Sequence, residues 1–335
     1  MKRVGVLCVG NDSPGINAAI RAAVVKGLDL NVEVMGIKDG FEGFLRDDLD
    51  VLLRGNVSNV LHQGGTMLGT SLYVPENNEI GKIKSKVEQY GISALIIIGG
   101  RLAAKSAINL MNVGVPSIVI PATIDNDLSF TDFSIGFFTA VENVKNALDV
   151  LHSTAESHHR VMIVETMGKP SGWIAVIGGL AGGADYIISS AEKTNFNEMI
   201  DIIKRRYEGR KRFSLIVIES GVEIPEDIKK ECRFSPEEGS SIVIGRYIEK
   251  QLKDFGIEWR YTNLGYLQRG GSPSAMDRII ATQMAAHAIE MIKIGKVYHA
   301  VGVKGFSITE IPYSETIINY RPVDFYLREL TKLFY

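Results

Sequence analysis

The sequence predicts an α/β fold of two similar three-layer lobes, each organised around a mostly parallel sheet. Short, wholly apolar runs such as residues 93–98 have the character of buried parallel strands, and they alternate with stretches of helical length. The alternation starts again after a long helical stretch that begins at Phe137, which indicates a second lobe of the same kind. A chain of 335 residues is also long enough for about two domains.

Strands and helices follow one another in a regular order along the chain. The predicted strands are residues 4–9, 33–37, 93–98, 116–120, 161–165, 213–219, 259–264 and 300–303. The predicted helices are residues 16–27, 102–111, 137–152, 196–207, 241–255 and 275–294. Ligands of such sheets bind beyond the carboxyl ends of the strands, so we expect the functional side chains in the loops that follow them.

Composition and charge narrow the functional class. Hydrophobic residues make up 45% of the chain and charged residues 23%, which is typical of a globular protein in solution. The net charge of -2 argues against a chain-wide basic surface for nucleic acid, and no apolar run reaches the roughly 18 residues of a membrane helix. Cys8 and Cys232 form neither a disulfide framework nor a zinc motif, so we expect a cytoplasmic protein.

The loop at residues 123–127 carries the strongest chemical signal. Asp125 and Asp127 lie two residues apart directly after a buried strand. One carboxylate of such a pair can act as a general base while the other orients a cation. Aspartate and asparagine also favour turns, so a purely structural turn is the competing interpretation.

Two further loops have the character of anion sites. Residues 11–15 open a helix, where free backbone amides attract phosphate, although ordinary helix capping explains the same residues. Arg269 stands beside two glycines and could bind an anion, although a surface turn is the alternative. Arg160 precedes a strand and Arg260 lies inside one, and burying an unpaired arginine is costly, so we expect both to contact a ligand.

The sequence gives little support for a serine nucleophile or for a histidine metal site. The chain has no GxSxG nucleophile motif, and the adjacent His158 and His159 lack a metal-ligand spacing. The glycine-rich residues 178–183 are explained equally well by tight packing and by a sharp turn.

Taken together, these loops resemble the bacterial phosphofructokinases over nearly the whole chain. The family patterns D-x-P-G-x-N, T-I-D-N-D, M-G-R and Q-R-G-G-x-P correspond in order to residues 12–17, 123–127, 167–169 and 268–273, with Lys169 in place of the arginine. The resemblance implies transfer of a phosphoryl group from a donor such as ATP, with Mg²⁺, to fructose 6-phosphate in glycolysis. It also implies a donor-side lobe of residues 1–136 with about 268–318, and a sugar-phosphate lobe of residues 137–267 with about 319–335.

The resemblance also implies roles for individual residues. Asp125 corresponds to the base that removes the proton from the sugar 1-hydroxyl, with Thr123, Asp127 and Lys169 beside it at the transfer centre and Asp127 placed to influence magnesium. The residues that correspond to sugar-phosphate contacts are Arg160, Met167, Gly168, Glu219, Arg260, Tyr266 and Arg269. Tyr266 stands where the family usually has histidine. Arg160 and Arg260 correspond to arginines that reach a neighbouring subunit, which implies a homotetramer.

The donor side departs from the family pattern. Residues 99–103 (GGRLA) stand where the family has G-G-D-G-S, so Arg101 reverses the charge of a magnesium-serving aspartate. Leu102 replaces a glycine, and Ala103 ends the changed segment. Asn11 also replaces a glycine, and Leu72 replaces an arginine that bridges the phosphates. These changes leave the donor open. Arg101 could stand in for the metal, which we consider the weaker explanation.

The effector site implied by the resemblance is also partial. Arg21, Arg54 and Arg210 match basic effector positions, and Asp185 could hold the effector's cation, but other basic positions are replaced. We therefore expect a weakened response to ADP or phosphoenolpyruvate. Two functional hypotheses follow from the sequence. The chain is either a 6-phosphofructokinase or a fructose 6-phosphate-binding regulatory paralogue of low activity, which could form mixed oligomers with an active one.

Overall fold

A computed structural model of the chain describes residues 2–76, 78–209, 211–233, 235, 238–313 and 317–334. The chain divides into two compact units: unit 1 is Met1–Thr139 with Arg269–Arg321, and unit 2 is Ala140–Gln268 with Pro322–Tyr335. These boundaries lie close to the predicted ones. None of the helices in the described ranges combines the length and apolar character that a bilayer span requires.

The strands and helices follow the predicted order, with several short additions. The described strands are β1 (Lys2–Val9), β2 (Val32–Ile37), β3 (Leu49–Val51), β4 (Ala94–Gly99), β5 (Ser117–Pro121), β6 (Arg160–Thr166), β7 (Tyr186–Ile188), β8 (Ser214–Glu219), β9 (Glu258–Asn263), β10 (His299–Lys304) and β11 (Ser307–Pro312). The described helices are α1 (Ile16–Asp29), α2 (Gly40–Leu45), α3 (Asn78–Gln89), α4 (Arg101–Asn112), α5 (Phe137–His158), α6 (Trp173–Ala181), α7 (Phe196–Glu208), α8 (Glu226–Glu231), α9 (Ser240–Gln251), α10 (Ala275–Lys293) and α11 (Phe325–Thr331).

Unit 1 is built on a seven-stranded sheet with the order β11-β10-β5-β4-β1-β2-β3. Its central strands are parallel, and β3 and β11 pair antiparallel at the two edges. The chain runs from β1 to β2 on one side and from β4 to β5 on the other, so the strand order reverses between β1 and β4. Ligands bind at such a reversal point. Val9 pairs with Gly99 and Gly99 with Pro121, so the three strands end at the same level.

Alternate residues of β1 supply the two faces of this sheet. Val4, Val6 and Cys8 pack with α1 and α10, whereas Leu7 and Val9 pack with α2, α3 and α4. Side chains of a strand point alternately to opposite faces, so a wholly apolar strand indicates a sheet covered on both sides. The predicted three-layer α/β arrangement is therefore confirmed for unit 1.

Unit 2 holds a smaller sheet with the order β7-β8-β6-β9, and all of its pairs are parallel. Helices α7 and α9 share an apolar core with one face of the sheet. On α6, a Cβ added to Gly178 would lie 2.7 Å from Val144, and one added to Gly182 would lie 2.3 Å from Leu148. Close packing on α5 thus explains Gly178 and Gly182, whereas Gly183, with φ of 66° and no atom within 4 Å of an added Cβ, is explained by the turn after α6.

The sequence argument about Arg260 is wrong. Strand β9 lies at the edge of its sheet and is mostly exposed, so the guanidinium of Arg260 is not buried. Its side chain is 57% exposed and lies 3.5 Å from Glu258. An arginine on an open edge is solvated by water, and its presence in the strand therefore does not by itself require a ligand.

Candidate active site

Asn126 shapes the loop that follows β5. Its backbone has φ of 50°, the left-handed conformation that asparagine tolerates better than most residues. Its side chain accepts a hydrogen bond from the Ser134 amide at 2.9 Å and donates one to the Asp132 carbonyl at 3.0 Å. The turn between Asp125 and Asp127 is therefore fixed by a buried asparagine.

Thr123 and Asp125 are coupled within the same loop. The Asp125 amide donates to the Thr123 hydroxyl at 3.2 Å, and the Ser134 hydroxyl donates to the Thr123 carbonyl at 2.7 Å. Both side chains are half-buried. A half-buried carboxylate on a fixed loop meets the positional requirement for a general base.

Asp127 is the more buried of the two carboxylates. It is 8% exposed, and its carbonyl accepts a hydrogen bond from the Arg321 amide at 2.8 Å. Burial raises the pKa of Asp127, whereas the positive charges of Arg101 and Arg321 act in the opposite direction. Both of the charged groups that favour ionised Asp127 are thus guanidinium groups of the chain itself.

Arg101 begins α4 at the carboxyl end of β4. A Cβ added to Gly99 would lie 2.0 Å from the Val9 carbonyl, and one added to Gly100 would lie 3.3 Å from the Cβ of Thr123. These approaches bring the start of α4 against the loop after β5. Arg101 is exposed, and within the described ranges its guanidinium has no hydrogen-bond or ion-pair partner.

The other altered donor residues lie at the same end of the sheet. Leu102 is half-buried, with its Cβ 3.9 Å from a Cβ added to Gly10, and Ala103 is buried in the core. The Gly10 amide donates to the Ser71 carbonyl at 2.9 Å, which brings the exposed side chains of Asn11 and Leu72 to the ends of β1 and β4. The structure therefore gathers the altered residues of the predicted donor side at the reversal point.

Asn17 holds the loop that carries Leu72. Its side chain accepts from the Met67 amide at 2.7 Å and donates to the carbonyls of Gln63 and Gly64 at 3.2 and 3.1 Å. The sequence pattern D-x-P-G-x-N singled out this asparagine without assigning it a function. The structure shows that it positions the loop at residues 63–67.

Arg269 is a buried cation of unit 1. It is 7% exposed, and its Nη1 donates to the Asp12 carbonyl at 2.7 Å. Its Nε is buried and has no hydrogen-bond partner in the part of the chain that the structure describes. An unsatisfied buried donor is unfavourable and is expected to acquire an acceptor from a ligand or water.

In unit 2, the predicted sugar-phosphate residues follow β6 and β8. The Met167 amide donates to the side chain of Gln268 at 3.2 Å, and Gly168 has φ of 113°, which favours glycine. Lys169 is exposed and lies against Gly221. It lines a cavity of about 810 Å³ together with residues 189–194, 221–223 and 225.

Glu219 serves the architecture of this cavity. It is fully buried, and its carboxylate accepts from the amides of Gly172 at 2.9 Å and Ser190 at 2.6 Å, and from the Ser190 hydroxyl. In this structure it therefore anchors the loops after β6 and β7, a role that sequence reasoning missed. Direct contact with a sugar phosphate stays a prediction.

Of the remaining predicted substrate residues, Arg160 is partly buried, whereas Arg260 and Tyr266 are exposed. Arg160 binds Glu258, with Nη2 2.7 Å from the carboxylate, and Arg260 approaches the same glutamate. Tyr266 is 80% exposed. Contact with a neighbouring subunit stays a prediction for both arginines.

The predicted effector residues belong to both units, with Arg21 and Arg54 in unit 1 and Asp185 in unit 2. Arg21 is half-buried on α1 and Arg54 is exposed, whereas Arg210 lies outside the described residues. Both oxygens of the buried Asp185 are occupied, one by Arg206 at 2.8 Å and the other by the Leu215 amide at 2.9 Å. Asp185 could receive an effector's cation only after releasing one of these partners.

Comparison with known proteins identifies the family. The family model described as phosphofructokinase matches residues 3–292. The chain belongs to the phosphofructokinase family. The ATP-dependent 6-phosphofructokinase of Bacillus pumilus (strain SAFR-032) is 39% identical over 306 residues, 91% of this chain and 90% of that protein. The ATP-dependent 6-phosphofructokinase of Bacillus cereus (strain B4264) is 37% identical over 334 residues, 99% of each chain.

Solved phosphofructokinase structures share the fold. Pichia pastoris phosphofructokinase in the T-state matches with a TM-score of 0.87 at 22% identity, over 99% of this chain and 40% of that longer chain. Pyrophosphate-dependent phosphofructokinase from Marinobacter aquaeolei matches with a TM-score of 0.84 at 20% identity, over 97% of this chain and 86% of that chain. These likenesses confirm the predicted fold class.

Arg101 disfavours magnesium at the candidate site, because it stands where the family pattern has a magnesium-serving aspartate. Within the described ranges, no group of three or more His, Cys, Asp and Glu side chains is arranged to hold a metal ion. Magnesium is typically bound by one or two carboxylates together with substrate phosphates. Asp127 is the predicted carboxylate, and the positive charge of Arg101 already acts on it.

Proposed function

We propose that this chain transfers a phosphoryl group to the 1-hydroxyl of fructose 6-phosphate, forming fructose 1,6-bisphosphate in glycolysis. The loop at residues 123–127 carries the proposal. It retains Asp125 and Asp127, and its conformation is fixed by Asn126. The relatives named ATP-dependent 6-phosphofructokinase support the same activity.

In the proposed reaction, Asp125 takes the proton from the sugar 1-hydroxyl. The hydroxyl oxygen forms a bond to the donor's terminal phosphorus while the bond from that phosphorus to its leaving oxygen breaks, in line. Lys169 supplies positive charge for the transferring group. The buried guanidinium of Arg269 binds the sugar phosphate, since its Nε is a donor in need of an acceptor.

Unit 1 is proposed to receive the phosphoryl donor. ATP and pyrophosphate are both candidate donors. Leu102 and Leu72 place aliphatic side chains where the family pattern has a glycine and an arginine. Loss of a charged group such as that arginine lowers the rate of phosphoryl transfer by a factor on the order of 10² to 10³. We therefore propose that the enzyme is slow.

A second candidate is a fructose 6-phosphate-binding regulatory paralogue. The position of Arg101 beside Asp127 favours it, because a guanidinium there opposes binding of a divalent cation.

We propose a homotetramer for the enzyme, and a mixed oligomer with an active paralogue for the second candidate. Light scattering of the purified chain, alone and after co-expression with a paralogue, distinguishes the two assemblies.

Substitution of the proposed base tests the function. Asp125→Asn should lower kcat by about 10² to 10⁴ while leaving the affinity for fructose 6-phosphate within a few-fold of wild type. Asp149→Asn, which changes an exposed aspartate paired only with Lys145, is the matched control and should keep full activity. If Asp125→Asn retained the wild-type rate, Asp125 could not be the base.

A further inference from the structure

Two arginines of the chain, Arg101 and Arg321, belong to segments that neighbour the loop of Asp127. Arg321 lies on one side, where its Nη1 is 3.7 Å from Asp132 and its backbone amide binds the Asp127 carbonyl. Arg101 approaches from the start of α4 and is engaged by no partner within the described ranges.

The backbone keeps Arg101 near this carboxylate. Strands β4 and β5 pair in parallel from Leu95↔Ser117 to Gly99↔Pro121, so the segments that follow them leave the sheet side by side. Gly100 lies against Thr123 closely enough that an added Cβ would come within 3.3 Å of the Thr123 Cβ. The pairing of β4 with β5 thus makes Arg101 and the loop at residues 123–127 neighbours.

We infer that this chain engages its phosphoryl donor without a divalent cation, and that Arg101 supplies the positive charge beside Asp127 in the metal's place. The inference rests on the proposed function and specifies its donor chemistry. It revises the ranking made from the sequence, in which this use of Arg101 was the weaker explanation.

Electrostatics gives the reason. A divalent cation at Asp127 would be repelled by the positive charge of Arg101. A guanidinium instead binds phosphate oxygens directly through planar, paired hydrogen bonds. Arg101 therefore disfavours binding of the metal ion, and it supplies to the phosphate the positive charge that the metal ion would have supplied.

The test measures binding of the donor with and without metal, independently of turnover. ATP and pyrophosphate are titrated separately into the purified full chain by calorimetry, in EDTA and in excess Mg²⁺. In EDTA, at least one donor should bind the wild-type chain no more than three-fold more weakly than in Mg²⁺. Arg101→Asp should weaken that binding in EDTA at least ten-fold and should make it depend on Mg²⁺.

Two controls separate the role of Arg101 from general charge effects. Arg101→Gln removes the charge without adding a ligand, and it should weaken binding in EDTA without gaining dependence on Mg²⁺. Lys105→Asp reverses an exposed charge of the same helix, which pairs with Glu76, and it should leave both affinities unchanged. Paramagnetic relaxation by Mn²⁺ alone should show tighter Mn²⁺ binding to Arg101→Asp than to wild type.

Three outcomes would overturn the inference. They are loss of wild-type donor binding in EDTA with recovery in Mg²⁺, unchanged binding of Arg101→Asp, and no binding of either donor under either condition. Fructose 6-phosphate binding and product formation are measured on the same samples. A metal-dependent chain that still forms product would refute the inference while leaving the proposed function intact.

Discussion

At the scale of single residues, Arg269 combines burial with an incomplete set of hydrogen bonds. Its Nη1 is satisfied by the Asp12 carbonyl, while its Nε has no acceptor in the described part of the chain. Buried polar groups in folded proteins are nearly always paired. The Nε of Arg269 shares this exception with those of Arg321 and Arg328, and among the three only Arg269 lies in a loop with two adjacent glycines.

Removing this side chain should weaken sugar-phosphate binding. We expect Arg269→Ala to reduce the affinity for fructose 6-phosphate by about 10- to 100-fold, because a charge-assisted hydrogen bond is lost. Isothermal titration calorimetry measures the change. Arg278→Ala is the matched control, since Arg278 contacts only the Pro273 carbonyl and the Ser272 hydroxyl of the same loop. Equal affinities of Arg269→Ala and wild type would show that the sugar phosphate binds elsewhere.

The sequence predicted that the loop at residues 123–127 follows a buried strand, but it did not predict the surroundings of every candidate side chain. Arg260 was expected to be buried because its strand was taken to be internal, whereas β9 is an exposed edge. The carboxylate of Glu219 accepts hydrogen bonds from the amides of Gly172 and Ser190, an architectural role that its position in the sequence did not indicate. Both differences depend on contacts between segments far apart in sequence, which local patterns do not contain.

At the scale of elements, Gly99 allows β1 and β4 to meet at the reversal point. The position of a Cβ added there, 2.0 Å from the Val9 carbonyl, is not sterically possible without moving backbone. The two strands pair from Val4↔Ala94 to Val9↔Gly99, so any displacement would be shared by the loops that follow them. The glycine is therefore required by packing of the sheet.

Adding a methyl group at this position should destabilise unit 1. We expect Gly99→Ala to lower the free energy of unfolding by at least about 2 kcal/mol, since overpacking of a core typically costs 1 to 3 kcal/mol and here the clash is with backbone. Denaturant unfolding followed by circular dichroism measures it. Gly55→Ala, at an exposed position with no atom within 4 Å of the added Cβ, should change stability by less than about 0.5 kcal/mol. Similar values for the two variants would contradict this account of the strand ends.

Wholly apolar strands were predictable, and polar or short elements were not. Strand β4 is apolar throughout and β8 is apolar at residues 215–218, and both are fully buried, which made them unambiguous. Helix α3 was missed because charged residues dominate it, although Ile80, Ile83 and Val87 recur at helical spacing on its buried side. Strand β3 is three residues long and mostly exposed, so its sequence carries no periodic signal.

At the scale of the whole molecule, the loop at residues 123–127 keeps the family pattern, whereas the segment at residues 99–103 departs from it. The fold and the loop after β5 follow the phosphofructokinase pattern, whereas Arg101, Leu102, Asn11 and Leu72 depart from it together at one end of a single sheet. The order of strands explains the clustering, because β1, β4 and β5 are neighbours. Motifs distant in sequence could be assigned to one end of the sheet only through this strand order.

Restoring the family residues should change the donor requirement. We expect Arg101→Asp combined with Leu102→Gly to raise ATP- and Mg²⁺-dependent turnover at least ten-fold, because a carboxylate for the metal and space for the phosphates are regained. Coupled measurement of fructose 1,6-bisphosphate gives the rate, and circular dichroism checks the fold. A folded double variant with no gain would place the defect outside this loop.

The most direct test of the central claim is formation of fructose 1,6-bisphosphate by the purified chain, followed by phosphorus NMR. Fructose 6-phosphate is supplied with ATP or with pyrophosphate in separate reactions, each with Mg²⁺ and with EDTA. We predict product with at least one donor, at a rate below the roughly 10 s⁻¹ typical of enzymes, and none with Asp125→Asn. Binding of fructose 6-phosphate without product under any of these conditions would contradict the enzymatic function and favour the regulatory paralogue.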